Sequence, residues 1–150
     1  GPMRCHDPSF TKGVLKFKGH GSCPGIESLS FTIDHRDQGW GNRCSYYGLY
    51  FNDGAKNYGA NYSANRGGYR TTTHTIEFKD PKPVYKPGAG KVWLKAGGHW
   101  PGCAIYLRNL RNVKLTMSDG SVINVPFSNR SYSTGRGRSR NHGEQVSVAV

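Results

Sequence analysis

A chain of 150 residues has room for one domain. Lys and Arg number 21 against 9 Asp and Glu, a formal charge of +12, and 35% of the residues are hydrophobic. With 21 Gly, 2 Met and no sustained helical period, the composition excludes a helix bundle and a coiled coil. No apolar run approaches the ~18 residues of a membrane helix, and repeated βα units of the doubly wound and barrel enzymes are missing.

In chain order, residues 1–12 read as a protease-cleavage scar, Gly1-Pro2, and a flexible N-terminus. The sandwich domain is expected over 13–127, followed by an Arg-rich loop over 128–143 and a final strand over 144–150. Residues 14–18 alternate and open the strands. Over 27–34, Leu29, Phe31 and Ile33 take one face and Ser28, Ser30 and Thr32 the other, the mark of a half-buried strand. A Tyr-rich strand is expected over 45–51, then a long loop over 52–68 that is rich in Asn, Gly and Ala. Residues 69–78 are β-branched and alternating, and Pro81, Pro83 and Pro87 mark a second loop. In 91–96, Val92 and Leu94 share a face opposite Trp93. Ser118-Asp119-Gly120 joins 112–117 to 121–127 as the clearest hairpin signal. About eight short strands separated by turns predict an all-β protein, an antiparallel β-sandwich, with the jelly roll nearest in length and a closed barrel the alternative.

Two segments follow strands and carry the functional signal. The first is Asp37-Gln38-Gly39-Trp40, and the second Trp100-Pro101-Gly102 after Val92-Trp93-Leu94-Lys95-Ala96. Over residues 26–118 these D-Q-G-W and W-P-G motifs resemble β-sandwich domains of fungal and protist proteins, and that resemblance implies a galactose-binding-like jelly roll. The strand that in that family reads W-x-W-F is replaced here by Tyr46 to Phe51. Physically, Gly39 can turn the chain with φ > 0, Asp37 can accept backbone N–H groups, and Trp40 can fold over the sandwich edge. In the ligand reading, Asp37 and Gln38 meet sugar hydroxyls and Trp40 is a stacking platform, with Arg43, His99 and Trp100 completing the set. Trp100 is open to both readings, with a buried indole favoured.

Catalytic and metal chemistry find little support. Asp34 and Asp37 have no second carboxylate cluster to oppose, no G-x-S-x-G occurs, and pairing Cys44 with a distant His is a coincidence any such chain offers. The six His form no ligand spacing, so a non-enzyme without metal or cofactor is expected. Cys5, Cys23, Cys44 and Cys103 match no zinc-finger grammar and leave three disulfide pairings open.

The positive charge is spread among Tyr and Trp and suits a polyanion. Arg130, Arg136, Arg138 and Arg140 lie among Gly, Ser and Asn, where only Tyr132 offers an anchor, and are the expected polyanion contacts. No motif for nucleic-acid readout is present, so any nucleic-acid binding would be non-specific. Two N-x-S sequons, at Asn61 and Asn129, fall in expected loops and leave the compartment undecided. The expected function is a non-catalytic, lectin-like module that binds glycan, including acidic glycan, through loops at one end of a jelly roll. The alternative is a polyanion-binding or protein-interaction module that uses the basic surface and the Arg-rich loop.

Overall fold

The structure is a computed structural model describing residues 6–18, 23–39, 44–100, 102–128, 131–133 and 145–148. Among these residues there are strands and no helix, and every strand pair is antiparallel. The strands are β1 (His6–Thr11), β2 (Val14–Lys18), β3 (Ile26–Asp37), β4 (Ser45–Asn52), β5 (Asn57–Ser63), β6 (Arg70–Glu77) and β7 (Lys91–Gly98). They continue with β8 (Ile105–Met117), β9 (Val122–Asn124), β10 (Tyr132–Ser133) and β11 (Gln145–Val148). One sheet runs β10-β8-β3-β6 with β9 also on β8, a second runs β11-β7-β4-β5, and β1 and β2 form a hairpin. The fold is an antiparallel β-sandwich.

Alternation builds its core. From the first sheet come Leu29, Phe31, Ile33, Leu107 and Leu115, and from the second Tyr47, Leu49, Phe51, Val92, Leu94 and Ala96, all of them buried. Each such large aliphatic or aromatic side chain contributes roughly 1.5–3 kcal/mol by leaving water. The outward positions are Tyr46, Tyr50 and Trp93 on the second sheet and Thr32, Asp34 and Arg36 on the first.

Several expectations are corrected. Residues 6–11, expected to be part of a flexible N-terminus, form β1. Lys12 and Gly13 take φ of 52° and 75°, the left-handed pair that closes a tight hairpin onto β2. Residues 57–63, expected within a loop, form β5 along the whole of β4. Tyr58, Ala60 and Tyr62 alternate on its half-buried side, while Asn and Gly obscure the pattern. The sequon at Asn61 therefore lies on a strand. In the Arg-rich segment, β10 pairs with β8, and Tyr132 is buried with its hydroxyl donating to Ser128 O at 3.2 Å. Arg130, Arg136, Arg138 and Arg140 lie outside the described residues, as do Trp40, Arg43 and Asn129.

Candidate functional site

At the end of β3, Asp37, Gln38 and Gly39 are held by hydrogen bonds within the turn and to its neighbours. Gly39 takes φ of 94°, and its N–H donates to Asp37 Oδ1 at 2.8 Å, closing the Asx turn its sequence calls for. Ser45 donates its hydroxyl to Asp37 Oδ2 at 3.3 Å. The Gln38 backbone N–H donates to Ala104 O at 3.1 Å, and its side-chain Oε1 accepts the Ala104 N–H at 3.0 Å. Its amide donates to Cys44 Sγ at 3.2 Å. Both side chains are buried, so Asp37 and Gln38 serve the loop and its neighbours and present no surface to a sugar.

The same junction is closed covalently. Cys44 and Cys103 form a disulfide, so Cys44 is no candidate nucleophile. Cys23 is also disulfide-bonded. Gly98 has to be glycine here, because a Cβ would lie 2.3 Å from Cys103 Cβ. The next residue, His99, donates its N–H to Cys44 O at 2.8 Å, and its exposed ring leans on Tyr46 at 5.0 Å. Trp100 is 49% exposed, with its ring 6.1 Å from that of His99. The favoured reading of Trp100 as a core residue is therefore corrected, because the turn after β7 points it outward.

From this end an aromatic strip runs along the outer face of β7, β4 and β5. Tyr50 and Trp93, opposite one another on β4 and β7, stack with ring centroids 4.9 Å apart and planes 21° from parallel. Tyr50 lies low over its other neighbour strand, since a Cβ on Gly59 would come within 2.6 Å of its ring. Trp93 Nε1 donates to Asn57 Oδ1 at 3.0 Å, although Asn57 is on β5 with β4 between. The indole therefore reaches across β4 above Tyr50, and the arrangement is layered: backbone, phenol, indole. Asn52 donates to the same Asn57 oxygen at 2.8 Å, and the Tyr50 hydroxyl donates to Asn61 Oδ1. Between Tyr50 and Tyr46 sits Lys95, its ammonium 5.5 and 5.8 Å from the two ring centroids. Burial pushes the Tyr50 phenol up, with Tyr46 and Tyr62 adding to it, so it remains a donor.

A second feature opens at the edge between β5 and β6, a cleft of about 280 Å³ lined by His35, Tyr47, Tyr62, Asn65, Arg70, Thr72 and His74. The Asn65 N–H donates to His35 Nδ1 at 3.0 Å, so Nε2 bears the proton and donates to Thr72 Oγ1 at 2.8 Å. The Tyr47 hydroxyl, its acidity suppressed by burial and by Tyr62, donates to His74 Nε2 at 2.7 Å. His74 stacks on Tyr62 at 3.5 Å. Burial, with His74 and Arg70 adding to it and Asp34 opposing, lowers His35 to about 4, and burial lowers His74 as well. Two neutral imidazoles therefore plug the cleft floor.

No protein-family model, curated protein or solved structure matches this chain. Of the expected ligand set, the structure brings His99 and Trp100 to one surface and takes Asp37 and Gln38 inside. Tyr46, Tyr50, Trp93, Lys95 and Asn57, which lie outside that expected set, share the same outer face. The signal for Trp93 was present, since an indole out of phase with Val92 and Leu94 has to point away from the core. No helix among the described residues is long and apolar enough to cross a membrane.

Proposed function

We propose that this protein is a non-catalytic carbohydrate-binding module that seats a glycan on the outer face of β7, β4 and β5. The observation that carries the reading is the Trp93 indole laid over Tyr50 and fixed by Asn57. A pyranose ring presents a flat C–H face, which suits a flat aromatic face parallel to a sheet. Its hydroxyls need donors and acceptors at the rim, and Asn52, Asn57 and Asn61 supply them. The stack is already ordered by its own hydrogen bonds, so binding costs little side-chain entropy. His99 and Trp100 extend the strip toward the disulfide end, and Lys95 beside it favours a glycan bearing carboxylates.

A glycan array at low and high ionic strength, followed by titration of the best ligand, tests this reading. The expected result is binding that survives salt and is lost in Trp93→Ala at an almost unchanged melting temperature. Binding at high ionic strength that Trp93→Ala leaves intact would overturn it.

A further inference from the structure

The outer face of the other sheet carries a different chemistry. Asp34 on β3 is 6% exposed and has four donors on its two oxygens. Thr71 donates at 2.6 Å, Asn109 at 3.1 Å, Arg108 Nε at 3.4 Å and Arg111 Nη1 at 3.3 Å. Arg108 and Arg111 are three apart on β8, and in a regular strand they would face opposite sides. Asn109 takes φ of 54°, and the pairing slips by one residue between Thr32 with Arg111 and Asp34 with Arg108. This bulge turns both guanidinium groups to the same face.

A third cation joins them. The Arg36 guanidinium carbon lies 3.9 Å from the Tyr106 ring centroid and 5.2 Å from that of Tyr69, which also carries Arg108 at 3.7 Å. Among the described residues Arg36 makes no ion pair with a carboxylate. Two guanidinium groups thus meet on one carboxylate whose acceptor positions are occupied, and a third, Arg36, shares the Tyr69 ring with Arg108. Tyrosine faces and a backbone bulge hold them in place. Among the described residues, the Arg36 fork and the terminal nitrogens of Arg108 make no hydrogen bond, which leaves them open to planar, two-point hydrogen bonding.

We infer that this Arg36–Arg108–Arg111 face is a second binding site, one for a sulfate group carried on a glycan chain. A tetrahedral oxyanion matches converging guanidinium forks and supplies the charge that Asp34 leaves uncompensated. Tyr69 and Tyr106 each already carry a guanidinium group on a ring face, which leaves less aromatic surface for a stacked nucleobase. The choice of a glycan as the carrier rests on the reading of the Trp93 face, whereas the oxyanion site rests on the arginines alone.

The test titrates the whole protein with heparin, chemically desulfated heparin, inorganic sulfate and a single-stranded oligonucleotide. Variants Arg36→Gln and Trp93→Ala are compared with the parent. The expected result is a preference for heparin over its desulfated form of about tenfold or more. Arg36→Gln should largely remove that preference and make the salt slope shallower by about one. Inorganic sulfate at millimolar concentration should raise the melting temperature of the parent more than that of Arg36→Gln. Trp93→Ala should weaken both glycan forms yet keep their ratio, so a ratio that persists with no stacking contribution sinks the Trp93 reading alone. A ratio unchanged by Arg36→Gln in a folded protein would overturn the site. So would an oligonucleotide that displaces heparin and depends on Arg36.

Discussion

Trp93 donates its indole N–H to Asn57 across an intervening strand, at 3.0 Å. That reach is available only because the layer beneath is thin. A Cβ on Gly48 would lie 2.4 Å from Asn61 Oδ1, and one on Gly59 2.1 Å from Leu49 O. The absent side chains at these two positions let Tyr50 lie down and the indole lie above it.

Gly59→Ala should therefore lift Tyr50 and separate the stack. We expect a loss of roughly 1–3 kcal/mol from overpacking, a weaker near-ultraviolet aromatic signal and reduced glycan binding. Denaturant titration and near-ultraviolet circular dichroism would check it. An unchanged aromatic spectrum would refute the layered arrangement.

Trp100→Ala should leave stability within about 0.5 kcal/mol of the parent, since the side chain is half in solvent. A buried indole would cost ~3–5 kcal/mol, so thermal melts discriminate between the two placements.

Stability should fall on mild acidification. His35 titrates near 4 when folded against 6.5 unfolded, and His74 is lowered in the same sense. Between these values the unfolded chain binds more protons than the folded one, so stability drops as pH falls from about 6.5 toward 4 and is flat above that window. The slope is at most about 1.4 kcal/mol per pH unit for each histidine. The groups facing His35 are His74, Arg70 and Asp34, together with the neutral Tyr47 ring. A further loss belongs to Asp34. Burial raises its pKa, but hydrogen bonds from Thr71, Asn109 and Arg111 and the Arg111 charge outweigh this and bring it from 3.8 to about 2. Chemical denaturation at a series of pH values, repeated on His35→Gln, should show the slope between pH 4 and 6.5 reduced in the variant.

Replacing Cys44 and Cys103 together by Ser should cost about 2–4 kcal/mol, because the bridge spans 59 residues and constrains the unfolded chain. The Tyr50–Trp93 stack sits at the other end of β4 and β7, so its spectral signature should persist in the folded double variant.

Much of this was legible beforehand, and the exceptions have physical causes. Strands whose inward residues are aliphatic announced themselves, as Leu29, Phe31 and Ile33 did. β5 was hidden because its inward side consists of Tyr58, Ala60 and Tyr62 separated by turn-forming residue types, and only pairing with β4 makes it a strand. The Asx turn at Asp37 and Gly39 was readable because it is local. The capture of Gln38 by Ala104 was not, since that partner lies 66 positions away and no local pattern encodes it. Arg108 and Arg111 share a face only through the left-handed Asn109, and an alternating pattern places them apart. The pairing of Cys44 with Cys103 likewise follows from β4 lying beside β7.

The Cys44–Cys103 bridge gives the β11-β7-β4-β5 sheet a topology of its own. β4, β5, β6 and β7 all lie between the two cysteines, so the strip from Tyr46 to Asn57 and on to Trp93 belongs to one closed covalent ring. A protease that nicks the exposed stretch around Val84, inside that ring, would open it without releasing a fragment. The severed pieces would remain tied at the base of the aromatic strip, and the molecule would migrate as one chain until it met a reductant.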